Sequence, residues 1–194
     1  MADMTDEGQG SEGTPSDELP AVLATGRGDT TTVFVSMTGR DPDGRDAEYL
    51  RWHAMDHRPE QHRLDGLRGS LRFVSTPGCR DARAAADDRH AAVDHVMTYL
   101  FAGGRTPDAF YELGGALGAG GRMPWRLPTV ALADFTVTGR AAARRVLAGA
   151  DVVPWRPALG AYLLLEEGAA PAGDLCAVDG VAGVWWATRT DGAT

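Results

Sequence analysis

The chain has 194 residues and a formal net charge of −8, from 27 acidic and 19 basic side chains. Every basic side chain is an arginine, because the sequence holds no lysine, and asparagine and isoleucine are missing too. This GC-biased composition excludes Schiff-base catalysis, a phosphate-loop lysine and amide-side-chain clamps on a substrate, and it leaves no cationic side chain able to act as a base near neutral pH.

Residues 1–29 hold seven of the acidic side chains against Arg27 alone. They are poor in hydrophobic residues and rich in turn formers, which predicts a disordered acidic tail. The rest of the chain is nearly neutral. Neither part has the clustered positive charge of a nucleic-acid or anionic-membrane surface. No apolar run approaches the roughly 18–20 residues of a membrane span, and no secretory pattern opens the chain, so a cytoplasmic protein is expected. Cys79 and Cys176 stand in no metal-ligand spacing and are expected as free thiols.

A β-branched run over 30–37 predicts the first strand. A helix is expected over 46–58, with Ala47, Leu50 and Ala54 on one stripe and Tyr49, His53 and His57 on the next. Pro59 lacks an amide proton and should end or kink the helix at Arg58. The Asp65-Gly66 turn leads into a strand over 67–75, and the alanine-rich stretch 77–92 reads as a long loop or short helix. A third strand over 95–101 places His95, Met97, Tyr99 and Phe101 on one face, which suits either a ligand cavity or an ordinary core. Thr106 then caps a helix with Pro107 in its first turn, running to about residue 117. The glycine-rich stretch 114–122 follows a helix and lacks lysine, so it reads as a helix end and loop. A fourth strand over 129–138 completes β-α-β-β-α-β, the α+β split βαβ or ferredoxin-like unit.

Beyond it the pattern predicts a helix over 140–147, a strand over 161–166, a short helix over 172–178 and a strand over 181–188. The phrase D-G-φ-x-G-x-φ occurs at 65–71 and again at 179–185, which suggests a partial second repeat. The expected division is a tail (1–29), a ferredoxin-like domain (30–138) and a partial second ferredoxin-like repeat (139–194).

All five histidines lie between residues 53 and 95. His53, His57 and His62 are interleaved with Asp56 and Glu60 in W-H-A-M-D-H-R-P-E-Q-H. His53 and His57 stand one helical turn apart, and so do Asp56 and Glu60. Imidazole moves protons near neutral pH, and a neighbouring carboxylate fixes its tautomer and raises its basicity. The functional reading is a proton-transfer site. Two others stand beside it: a metal-ligating pair, although the zinc-protease pattern needs glutamate where Ala54 stands, and a solvated helix end over a packed tryptophan. No metal is expected, and no nucleophile elbow occurs.

Tyr49, Trp52, His57 and Pro59, the run Asp56-His57-Arg58-Pro59-Glu60 and the turn Gly66-Leu67-Arg68-Gly69 resemble the first-helix signature of EthD-like proteins in the dimeric α/β-barrel superfamily. The resemblance is close over 33–75 and extends in topology over 96–137. It implies a sheet that packs face to face with a second sheet, from a homodimer mate or a second repeat, around a small hydrophobic molecule. Relatives of this architecture include cofactor-free monooxygenases, polyketide cyclases and dehydratases, stress-response proteins and haem-dependent enzymes. By position, His57 is the residue of most consequence, with Trp52 and Tyr49 shaping a pocket.

Together these readings predict a cofactor-independent enzyme on a small hydrophobic organic substrate. It would carry out dehydration, cyclisation or isomerisation, with His57 as base or acid and His53 or Asp56 assisting. Tyr49, Trp52, Glu60, Arg72, His95, Met97 and Tyr99 are the expected substrate contacts. Arg72 is read either as an anchor for an anionic or enolate oxygen or as an exposed arginine. A non-catalytic binding or assembly protein, and a haem enzyme with a histidine ligand, are the alternatives.

Overall fold

The computed structural model describes residues 29–83, 87–103, 106–168 and 174–190. The expected tail lies outside the described residues apart from Asp29, and so does the expected capping side chain of Thr106. What is described falls into two compact units, Thr30–Thr136 with residues 188–190, and Val137–Ala187.

The first unit opens with β1 (Thr30–Thr38), whose threonines and valines suit a pleated, half-buried strand. The first helix does not stop at Arg58 as predicted. It runs as α1 (Asp46–Trp52), a π turn (His53–His57) and α2 (Arg58–Gln61). In the π turn the Arg58 amide donates to the His53 carbonyl, five residues back. This wider turn admits Pro59, which has no N–H to place and whose ring would crowd the carbonyl four residues back in a regular helix. β2 (Leu67–Val74) follows the Gly66 turn, where φ is 81°, a value glycine adopts without strain. The stretch left as loop or short helix contains α3 (Pro77–Asp81), capped by Thr76, and a 3₁₀ turn at His90–Ala92. β3 (His95–Ala102), α4 (Thr106–Ala119) and β4 (Thr129–Ala142) complete the predicted order.

The strands form one antiparallel five-stranded sheet in the order β2-β3-β1-β4-β5, with β5 at Gly183–Arg189. The protein is thus an α+β fold, compatible with the ferredoxin-like class. One sheet face, toward α4, buries Phe34, Leu67, Met97, Tyr99, Phe101 and Phe110, with Leu64 against them. The opposite face carries Val35, Met37 and Val93 with Val33, Val96, Val130, Ala131 and Phe135.

The second unit departs from expectation. The helix predicted over 140–147 is absent, because β4 continues to Ala142 and gives way to 3₁₀ turns at Arg144–Val146 and Ala150–Trp155. Close approach favours the strand here: a Cβ on Gly139 would come within 3.2 Å of the Trp186 ring, and one on Gly183 within 2.7 Å of the Ala141 carbonyl. The strand predicted over 161–166 does not form. Its run of Leu163, Leu164 and Leu165 is about half exposed and has no period-two pattern, and β5 already occupies the edge of β4. The short helix over 172–178 contracts to a 3₁₀ turn at Leu175–Ala177, with residues 172–173 outside the described set. Among the described residues, 139–194 therefore supply the end of β4, β5 and 3₁₀ turns, and no α-helix. The D-G echo survives locally, since Gly180 before β5 has φ 83°, close to that of Gly66 before β2. Cys79 and Cys176 are free, and no described helix is long and apolar enough to cross a membrane.

Candidate functional site

The π turn directs His53 and His57 at the sheet, where they are 4% and 7% exposed, with ring centroids 5.4 Å apart. One turn later Gln61 is also buried. β3 supplies Tyr99 from the face between its pairing partners Phe34 on β1 and Ser70 on β2. The four side chains form one hydrogen-bonded chain. The Tyr99 hydroxyl donates to Gln61 Oε1, and Gln61 Nε2 donates to His57 Nε2 at 2.9 Å.

Those two bonds set the protons on both imidazoles. An amide nitrogen only donates, so His57 Nε2 is the bare acceptor and its proton sits on Nδ1. The Tyr99 proton is committed to Gln61, so the contact of 3.2 Å to His53 Nε2 runs from His53 Nε2–H to the phenol oxygen. The chain therefore reads His53 → Tyr99 → Gln61 → His57. It ends at His57 Nδ1, which is buried and has no hydrogen-bond partner among the described residues. Turning the Gln61 amide by 180° reverses every donor and acceptor and leaves a bare lone pair on Nδ1 instead.

Burial is the main influence on the charges. It pushes His53 down to about 2, helped by the charges of Arg72 and Arg58 and by His57 when that ring is protonated. His57 is also lowered, chiefly by burial, with Arg126 and Arg72 adding to it and Asp56 opposing. The Tyr99 phenol is raised by burial, against the pull of Arg72 and Arg58. At neutral pH the whole chain is uncharged.

An aromatic wall encloses this chain. Trp52 stacks on His57 at 5.0 Å, and Tyr49 packs against Trp52, His53 and Trp125 at 5.6, 5.9 and 6.1 Å. The Arg72 guanidinium lies 5.6 Å over the Tyr49 ring, a cation–π contact.

No family model matches the chain, and no curated protein or solved structure matches it.

Of the predicted contacts, His53, His57, Tyr49, Trp52, Arg72 and Tyr99 are brought together. Met97 is a core residue beneath them, opposite Arg72 in the β2–β3 register. Asp56 is not hydrogen-bonded to either histidine. Arg122 grips both its oxygens at 2.9 Å, so it acts on His57 only through its charge. Glu60 is held by Arg63 at 2.8 Å, with Arg122 at 3.8 Å. His95 belongs to a different constellation. Its Nε2–H donates to Asp46 Oδ1 at 2.7 Å, tying the start of α1 to the start of β3. The Asp46 carboxyl is opposed by burial yet stays below its usual range, because the His95 and Asp41 N–H groups favour the anion. Among the described residues no three His, Cys, Asp or Glu side chains gather to hold a metal ion.

Gln61, Arg58 and Trp125 were missed. The exclusion of amide clamps rested on the absence of asparagine and is corrected by Gln61, the amide at the centre of the chain. Its signal was present, since it follows His57 by one helical turn in the same histidine-rich run.

Proposed function

We propose that the protein is a cofactor-independent enzyme that moves a proton on a small hydrophobic organic molecule, in a dehydration, cyclisation or isomerisation. We also propose that it is an EthD-like member of the dimeric α/β-barrel superfamily that works as a homodimer. The strand order and the Tyr49–Trp52–His57–Pro59 pattern support the family.

The observation that carries the reaction is the termination of the hydrogen-bonded chain at a buried, unpartnered His57 Nδ1. Held at Nε2 by Gln61, the neutral imidazole offers a proton at Nδ1 in this order and, with the Gln61 amide turned, a bare lone pair there for a general base. His57 is the catalytic residue. Gln61, Tyr99 and His53 are positioning residues that hold its ring and tautomer. Asp56 favours the transient imidazolium through its charge. Trp52 and Tyr49 supply the apolar wall for the substrate.

The test is deuterium incorporation from D2O into a panel of aryl ketones and β-dicarbonyls, followed by NMR. The wild type is expected to accelerate exchange at an acidic C–H. His57→Ala should lose about 10²–10⁴-fold of that acceleration, the usual contribution of a positioned acid or base. Equal exchange by the folded variant would sink the assignment.

A further inference from the structure

Two guanidiniums stand beside this chain, Arg72 near His57, His53 and Tyr99 and Arg58 near His53 and Tyr99, and their pairing is incomplete. Arg58 opens α2 and Arg72 lies in β2, and each has a buried Nε with no hydrogen-bond partner among the described residues. Among the described residues neither is ion-paired with a carboxylate. The two acids that flank Arg58 in sequence are engaged elsewhere, Asp56 by Arg122 and Glu60 by Arg63. A buried N–H left unsatisfied is costly, and a cation beside it without a counter-charge adds to that cost.

The third open group is His57 Nδ1, which bears a proton in the hydrogen-bond order described above, on a ring that is 7% exposed. Three donors, two of them on cations, thus remain unanswered around one helix end. Arg58 and Arg72 also lie close enough to Tyr99 and His53 to depress the proton affinity of both, which places their charges on the same neighbourhood. Beside them stand the rings of Tyr49 and Trp52, with Arg72 already over Tyr49.

We propose that Arg58 Nε and Arg72 Nε form an anion subsite beside His57 that takes the carboxylate of a small aromatic or apolar acid, whose body lies against Tyr49 and Trp52, and leaves His57 Nδ1 to the proton transfer. This rests on the proposed small-molecule site and narrows its substrate to a carboxylate bearer. Arginine suits the role, because its planar fork meets a carboxylate with parallel N–H bonds.

Benzoate serves as the probe and benzamide, of nearly the same shape, as its neutral control. Binding is read at equilibrium by the side-chain ¹⁵N resonances of histidine and arginine and by titration calorimetry on the full chain. Benzoate is expected to shift the His57 Nδ1 and the Arg58 and Arg72 Nε signals, and to bind at least about tenfold more tightly than benzamide, as a charge-assisted pair requires. Arg72→Met should abolish that preference, and Arg58→Met gives a second reading should the first variant fold poorly. Equal binding of the two probes overturns the anion subsite while leaving the small-molecule reading intact. Absence of benzoate binding, or binding that leaves those three signals unmoved, overturns it as well. None of these readouts depends on turnover, so loss of exchange in His57→Ala is judged separately.

Discussion

Tyr99 has a single hydroxyl proton, and giving it to Gln61 Oε1 fixes the protonation of two histidines that it does not itself titrate. Tyr99→Phe removes that link, leaving Gln61 Oε1 and His53 Nε2–H buried and unsatisfied. Each orphaned group costs about 1–3 kcal/mol, so a loss of roughly 2–6 kcal/mol is expected in urea unfolding. A change below about 0.5 kcal/mol would show that the network is not formed. His57 carries a kinetic prediction. Its affinity for a proton is lowered mainly by burial, reinforced by Arg126 and Arg72 and opposed by Asp56. The basic form should therefore persist below pH 6.5, and the acidic limb of kcat/KM should fall on the low side of that value. Asp56→Asn removes the opposing charge and should move the limb lower still. At this scale the sequence disclosed the histidines, the tyrosine and the aromatic wall through their spacing alone. It hid Gln61 and Arg58, because an amide and an arginine on a polar helix look solvated until the π turn shows which way they face.

At the scale of elements, the π turn decides the site. It contains one residue more than a regular turn, and without it the segment after Trp52 would be rotated by about 100°. Deleting exposed Ala54 should restore regular helical bonding and carry His57 and Gln61 away from Tyr99 together. The expected result is a loss of at least about 2 kcal/mol and collapse of the His57 ¹⁵N pattern to that of a solvated imidazole. Retention of the wild-type pattern would show that the turn does not set the register. The strands of the first unit were legible from β-branched alternation, and its helices from apolar spacing. The turn was not, because proline signals a helix break in sequence and the break can be absorbed by widening. In 140–166 the failure had another cause: alanines and leucines suit a helix or a strand equally, and the choice was made by Gly139 and Gly183 bringing β4 and β5 together.

For the whole molecule, the buried imidazoles tie stability to pH. His53 and His57 both bind protons less readily than the free imidazole, whose value is 6.5, with burial the leading cause for each. Below pH 6.5 the unfolded chain takes up protons that the fold refuses. Stability is thus at its full level above pH 6.5 and declines as pH falls, in the case of His53 continuing toward about 2. The slope approaches about 1.4 kcal/mol per pH unit for each fully refusing histidine. Chemical denaturation between pH 8 and 4.5 should show it, and the decline should be shallower in His53→Phe. The proposed homodimer is tested on the other sheet face, where Val96 is half-buried beside Val33 and Phe135. Light scattering should give twice 20.5 kDa for the wild type, with Val96→Asp shifted toward the single-chain mass.

Each end of the helix over the site is fastened to β3, Asp46 to His95 near its start and Gln61 to Tyr99 at its end, with His53 on the same Tyr99 hydroxyl between them. The fastening points are fifteen residues apart on the helix, about 22 Å at 1.5 Å per residue, but only four apart on the strand, about 13 Å. The helix must therefore cross the strand at a slant, and the wide turn lies between the two fixings like an expansion joint in a beam. Sliding along the strand would break both fixings at once, whereas a small twist of the last turn strains only the Gln61 one. A molecule pressing on His57 would thus load one joint and leave the rest of the frame still.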